Sequence, residues 1–110
     1  MKTSELTGHA LDWAVAMCAG LSHKLHGHIP YSTDWAQGGP IIEREKIELK
    51  YLGYDNPPYW GAIKFHPASY DRKGAVGPTP LIAAMRCYVA SKLGEIVEVP
   101  SELFKEETYV

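Results

Sequence analysis

The chain has 110 residues, of which 45% are hydrophobic, and its formal net charge is −2 at pH 7. This length and composition are typical of one domain with one core. The slight acidic excess argues against general binding of DNA or RNA, which depends on clustered basic side chains. No apolar run approaches the roughly 20 residues that span a membrane, and no secretory leader is recognisable. We therefore expect a cytoplasmic protein whose cysteines, Cys18 and Cys87, are reduced and buried.

The first element is a helix predicted from about residue 8 to about residue 19. Apolar residues recur there at helical spacing, Thr7 is placed to cap the start, and Gly20 is placed to end it. Leu6 and Leu11 occupy the two positions of a hydrophobic staple around that cap.

The next predicted element is a short second helix over about residues 39–46. Pro40 suits its first turn, where backbone N–H groups have no partners within the helix. A one-turn helix is expected just before it, over residues 34–37.

Two strands are predicted to follow, over residues 47–51 and 59–66. Both alternate apolar and polar residues, as half-buried strands do, and a turn-rich segment separates them. We expect an antiparallel hairpin, with Trp60, Lys64 and His66 sharing one face. Residues 67–78 are predicted to form a loop.

The last long helix is predicted to be capped by Thr79 and to end at Gly94. Its buried stripe is expected to consist of Leu81, Ile82, Met85, Val89 and Leu93.

The predicted architecture follows from these elements. Amphipathic helices need a partner surface, and a hairpin is not stable alone. We therefore predict an α/β (α+β) domain over residues 1–104: a small layered α-β-α sandwich in which two main helices pack on a short antiparallel sheet. Residues 105–110 are expected to be a flexible acidic tail.

Several stretches of the sequence form a recognisable set: residues 4–8, 10–16, 31–35, 38–45, 79–94 and 97–100. Taken together, they resemble one family, the NinX-type phage proteins of unknown function from the nin region of lambdoid phages. The opening helix and residues 31–34 are also similar to a wider group, the phage α-β-α sandwich domain. The resemblance implies helices on both faces of a small sheet and a location in the host cytoplasm, and it supplies no catalytic residues.

Two glycine- and proline-rich segments are candidate anion sites. Gly38 and Gly39 precede Pro40, and Gly77 lies shortly before Thr79. Free N–H groups at a helix start attract anions, and glycine allows a phosphate to approach closely. The sequence lacks the Gly-Lys-Ser/Thr ending of a P-loop, and an ordinary tight turn or helix start is the favoured interpretation of both segments.

Arg86 is a charged residue in an otherwise apolar helix. It could form a structural ion pair with Asp34, Glu43 or Glu45, or it could hold a phosphate or carboxylate in bidentate fashion. The sequence leaves both interpretations open.

Aromatic and histidine side chains suggest two further kinds of site. Trp35 and Trp60 are able to stack on a flat ring, but aromatic residues also fill the core of small domains. His23, His26 and His28 could hold zinc, although no supporting carboxylate or cysteine is evident nearby, and a solvent-exposed loop explains them better.

These features lead to the hypothesis of a non-catalytic phage accessory protein that captures a small anionic ligand. In its sharpest form, the protein is a homo-oligomer that sequesters a cyclic or ADP-ribose-type nucleotide serving as a host defence signal. The alternatives are a protein-interaction module and a small nucleotide hydrolase. We predict no catalytic residue, no metal and no cofactor. The predicted ligand-binding residues are Ser32, Thr33, Trp35, Gly38, Gly39, Arg44, Trp60, Lys64, His66, Thr79 and Arg86.

Overall fold

A computed structural model describes residues 1–21, 28–53, 59–66, 71–100 and 103, with the backbone alone for 65–66 and 71–73. A 3-10 turn at Thr3–Glu5 precedes three helices and three strands. The predicted tail at 105–110 and the histidines His23 and His26 lie outside the described residues. The elements are α1 (Gly8–Cys18), α2 (Trp35–Glu45), β1 (Glu48–Leu52), β2 (Tyr59–His66), β3 (Asp71–Gly77) and α3 (Pro80–Leu93).

The strands form an antiparallel sheet in the order β1-β2-β3, so the predicted hairpin is confirmed. The prediction of a loop over residues 67–78 is wrong where β3 lies. This strand contains two glycines and few apolar residues, and sequence propensity therefore does not mark it. Pairing with β2 and packing under α3 hold it instead: a Cβ on Gly77 would lie 2.8 Å from the backbone nitrogen of Ala83.

Helix α3 forms the middle layer. It packs on the sheet with one side and on α1 and α2 with the other. The α+β class and the antiparallel sheet are confirmed, but the layer order differs from the one that the resemblance implied, since α1 and α2 lie against α3 rather than across the sheet. The outer face of the sheet carries Val76, which is 49% exposed.

The position of α3 between two layers explains why its predicted stripe was too narrow. Residues 83–89 are all buried, including Arg86, because a helix packed on two sides has no broad polar face. Leu93 is 43% exposed at the end of the helix, and Ile82 is half-buried. The predicted Thr79 cap and Gly94 end are confirmed.

Helix α1 follows its prediction closely. Thr7 is the N-cap residue, although its hydroxyl makes no capping hydrogen bond, and the two staple residues, Leu6 and Leu11, are fully buried. Neither cysteine is part of a disulfide: Cys18 is half-buried in α1 and Cys87 is buried in α3. Burial raises the pKa of each thiol to about 11.

Helix α2 corrects the prediction of two short helices. It is continuous from residue 35 to residue 45, and Asp34 caps it by accepting a hydrogen bond from the Ala36 N–H at 3.0 Å. Pro40 therefore lies inside the helix rather than in its first turn. The rule that places proline in the first turn of a helix failed here because the Asp34 cap starts the helix earlier.

The two ends of the described chain lie side by side. Lys2 forms an antiparallel bridge with Ile96, and the Thr3 N–H donates to the Glu95 carbonyl at 2.8 Å. Within the described ranges, no helix is both long and apolar enough to cross a membrane.

Candidate functional site

A cavity of about 220 Å³ lies between the starts of α2 and α3, and we call it the α2–α3 cavity. Four of the eleven predicted ligand-binding residues meet there, although they come from segments more than forty positions apart in the chain. Its lining consists of Ser32, Thr33, Trp35, Thr79, Pro80, Leu81 and Ile82.

A glycine brings the two helix starts together. Gly38 is buried, and a Cβ there would lie 2.6 Å from Leu81 Cδ1 and would also collide with the Tyr31 carbonyl oxygen. The absence of a side chain therefore lets α2 approach the first turn of α3 at close range. This close approach places both helix N-termini beside one cavity.

The caps of the two helices leave backbone donors beside the cavity. In α2, Asp34 accepts from the Ala36 N–H, and in α3, the Thr79 hydroxyl accepts from the Ile82 N–H at 3.1 Å. Neither cap engages the N–H group of Trp35 or of Leu81. Free N–H groups and the positive end of the helix dipole both favour a negative charge at such a position.

Ser32, one of the residues that line the cavity, has an unusual buried hydroxyl. The residue is 2% exposed, and its hydroxyl has no hydrogen-bond partner among the described residues. Buried hydroxyls are nearly always hydrogen-bonded, so an unpaired one marks a place where a ligand or water could bind. Trp35, in contrast, is 53% exposed, so much of its indole is accessible for stacking.

A buried carboxylate behind Ser32 escaped the sequence analysis. Asp12 of α1 is 3% exposed, and its Oδ1 accepts from the Ser32 N–H at 2.8 Å. Its Oδ2 lies 2.6 Å from His28 Nε2, and the His28 ring lies 3.8 Å from that of His9. This group attaches the segment before α2 to α1 and so fixes the position of Ser32.

A sequence signal for Asp12 did exist. It lies directly between residues of the predicted apolar stripe of α1, and a carboxylate at such a position requires partners. The burial of neighbouring Tyr31 raises the pKa of its hydroxyl, and the nearby charge of Asp12 raises it further.

Arg44 and Lys64 lie elsewhere, at the opposite end of α2. Lys64 donates to Glu45 at 2.5 Å, and Arg44 donates to Glu45 at 3.0 Å and to the Tyr88 hydroxyl at 3.3 Å. The hydrogen bond from Lys64 is the main cause that lowers the pKa of Glu45. Neither cation lines the α2–α3 cavity.

Four other residues that were predicted to bind the ligand are not in the lining of the α2–α3 cavity. Gly38 and Gly39 lie inside α2, so the argument from a helix start does not apply to them. Trp60 packs against the core and beside Tyr51, with ring centroids 5.1 Å apart. His66 is the last residue of β2, and its side chain lies outside the described set.

Arg86 borders a second cavity, of about 370 Å³, which we call the Arg86 cavity. Its Nε donates to the Leu6 carbonyl and its Nη1 to the Val76 carbonyl, both at 2.9 Å. The ion pair with Asp34, Glu43 or Glu45 that the sequence left open is not formed. Burial lowers the pKa of the guanidinium below its usual value.

A zinc site in the histidine-rich loop would use His23, His26 and His28. His23 and His26 lie outside the described residues, whereas His28 is bonded to Asp12. In the part of the chain that the structure describes, no three His, Cys, Asp or Glu side chains are grouped to hold a metal ion.

The fold and the cavity define a small α+β domain in which the starts of two capped helices border an open cavity lined by apolar side chains and three hydroxyl residues. A family model described as "Bacteriophage P22, NinX" matches residues 29–92, and the chain belongs to this NinX family. The resemblance seen in the sequence is thereby confirmed. The matched residues include the whole lining of the α2–α3 cavity, whereas Asp12 lies outside them. No curated protein matches the chain.

Proposed function

We propose that this protein is a non-catalytic binding protein that takes a small anionic ligand in the α2–α3 cavity. The observation that most supports the proposal is the meeting of Ser32, Thr33, Trp35 and Thr79 in one cavity at two helix N-termini. Ser32 borders this cavity, and its buried hydroxyl is unpaired among the described residues.

The polar groups indicate how such a ligand would be held. The lining described for the cavity contains no basic side chain, so the negative group would be held by the N–H groups of Trp35 and Leu81 and by hydroxyls. A flat ring attached to that group would stack on the exposed face of Trp35. A nucleotide-type molecule combines these two parts.

The size of the cavity narrows the choice of ligand. Pockets that enclose drug-sized ligands measure about 300–1,000 Å³, and this cavity measures about 220 Å³. It would enclose one anionic group and leave the ring at the surface against Trp35. An ADP-ribose-type or cyclic nucleotide would therefore bind by one end, and sequestration of a host signal in the cytoplasm would require help from a second copy of the chain.

The test is calorimetric titration with a panel of mononucleotides, cyclic nucleotides and ADP-ribose. We expect at least one to bind the wild type, and Trp35→Ala should weaken binding by about tenfold or more because base stacking is lost. Thr79→Val should weaken binding too, whereas Thr7→Val is the matched control, since Thr7 is also an N-cap residue but lies outside the cavity. If no member of the panel binds, the proposal is wrong.

The same experiment separates binding from hydrolysis. The bound compound is recovered after incubation and analysed by chromatography. Intact ligand supports a binding protein, and stoichiometric conversion by the wild type would instead favour the hydrolase alternative. If the wild type converts the ligand, the same incubation is repeated with the His28→Ala variant. Loss of conversion would show that the imidazole held by Asp12 is responsible for it.

A further inference from the structure

The guanidinium of Arg86 is buried and forms no ion pair with any carboxylate that the structure describes. Arg86 is 9% exposed, and its partners are two backbone carbonyls, those of Leu6 and Val76. Among the described residues, no carboxylate pairs with it. Carbonyl oxygens satisfy hydrogen bonds but do not neutralise the charge, and a buried unneutralised charge is costly to a fold.

The two carbonyls also fix the orientation of the guanidinium. A guanidinium has five N–H donors in one plane. The bonds from Nε and Nη1 use two of them, and the other three, including both on Nη2, have no hydrogen-bond partner among the described residues. A planar donor group that is already held in place loses little freedom when it binds a carboxylate or phosphate in bidentate fashion.

The surroundings of Arg86 match a small anionic molecule. The Arg86 cavity measures about 370 Å³, which lies within the usual range for ligand pockets. Lys2 contributes a second positive charge to its lining, and Glu95 contributes one negative charge. Ser4 adds a hydroxyl, and the small residues Ala75 and Ala90 leave the volume open.

We propose that the Arg86 cavity is a second anion-binding site, specific for the carboxylate or phosphate group of a compact small molecule. It is separate from the proposed function because it shares no lining residue with the α2–α3 cavity. None of its described lining residues is aromatic. The two cavities therefore differ in selectivity: the first favours a flat ring next to the charge, and the second does not.

Calorimetric titration of the full chain tests this proposal. The probes are inorganic phosphate and, separately, acetate, in chloride buffers of matched ionic strength. At about ten times its Kd, a bound probe should raise Tm by roughly 5–10 °C. Binding of phosphate alone assigns the site to phosphate esters, and binding of acetate alone assigns it to carboxylates. Binding of neither probe overturns the proposal.

Three variants locate the site. Arg86→Gln should weaken binding by about tenfold or more, since a charged hydrogen-bond donor is lost. Ala90→Leu fills the cavity from the next turn of α3 and leaves both carbonyl bonds of Arg86 in place, so it provides an answer even if Arg86→Gln does not fold. Arg44→Gln is the matched control, because it removes an arginine outside the cavity.

The variants also separate a binding role from a purely structural one. If Arg86 serves only to connect the N-terminal segment to β3, Arg86→Gln lowers Tm, but wild type and Ala90→Leu respond identically to the probes. That result contradicts the proposal. Loss of the response in Ala90→Leu, with an unchanged response in Arg44→Gln, supports it.

Discussion

The two glycine- and proline-rich segments look alike in sequence but play different parts in the structure. Residues 77–80 begin a helix, with Thr79 as its cap. Residues 38–40 lie inside a helix that begins three positions before Gly38, at Trp35, directly after the Asp34 cap. In both segments, however, a glycine lies against the first turns of α3: Gly38 faces Leu81, and Gly77 faces Ala83.

Gly38 and Gly77 set the distance at which their segments pack against α3. Neither Gly38 nor Gly77 is among the glycines with positive φ, so conformational freedom does not explain their presence. Close approach to α3 does explain it, and it also creates the α2–α3 cavity. The proposed ligand site is therefore a consequence of how two elements pack on one helix.

The strongest way to test this interpretation is to give Gly38 a side chain. In Gly38→Ala, the new Cβ would overlap Leu81 Cδ1 and the Tyr31 carbonyl, and the latter is backbone and cannot turn away. We expect a loss of about 2–3 kcal/mol in the free energy of unfolding, seen as a fall in Tm of roughly 10–20 °C. An unchanged Tm would show that α2 is not held by this contact.

The cap at the other segment should have a smaller effect. Thr79→Ala removes the hydroxyl that accepts from the Ile82 N–H, and we expect a loss of about 1 kcal/mol in the free energy of unfolding. Thr79→Ser should restore it. Thr7→Ala is the control, because the Thr7 side chain makes no capping bond and its removal should cost less than about 0.5 kcal/mol. Equal losses at both positions in urea unfolding would contradict this reasoning.

The neighbour of Gly38 should respond in the opposite direction. A Cβ on Gly39 would meet nothing nearer than Trp35 Cε3, at 3.9 Å, which is an ordinary contact. Because glycine is a poor helix former, Gly39→Ala should stabilise the protein by about 0.5–1 kcal/mol. Urea unfolding of the Gly38 and Gly39 variants, measured together, separates packing from helix propensity by the sign of the change.

The smallest effect is expected at the far end of α2, where Glu45 binds Lys64 and Arg44. The pKa of Glu45 is lowered in the folded protein, so its contribution to stability is present above its ordinary pKa of 4.5 and is lost as pH falls through the folded value. Glu45→Gln should lower stability at pH 7 by about 0.5 kcal/mol. When Tm is measured against pH, Glu45→Gln should also lose less stability than the wild type as the pH falls below 4.5.

Much of this fold could be predicted from the sequence because the ends of α1 and α3 and the hairpin of β1 and β2 follow local rules. Caps, glycine stops and alternating strands identified α1, α3, β1 and β2. Strand β3 could not be found in this way, since pairing with β2 and contact with α3 stabilise it rather than its own side chains. The continuous burial of residues 83–89 in α3 was also hidden, because a periodic stripe does not show how many layers a helix contacts.

The candidate site was predictable in part for the same reason. Ser32, Thr33, Trp35 and Thr79 were chosen for local features of two helix starts, and those features place them in one cavity. Arg44, Lys64 and Arg86 were chosen for their charge, and charge alone does not reveal the partner. The pairing of Asp12 with His28 depends on a contact across sixteen positions, for which the sequence gives no distance.

The burial of Cys87 has a practical consequence for measuring how this molecule opens. Its thiol is fully buried and is protonated at neutral pH, because its pKa is raised to about 11. Alkylating reagents attack the thiolate, so they modify Cys87 chiefly in molecules whose middle layer has separated from its neighbours. The rate of Cys87 modification, compared with that of Cys18 by mass spectrometry, would measure how often the core opens. A decrease in that rate on adding a ligand would show that the ligand suppresses these openings.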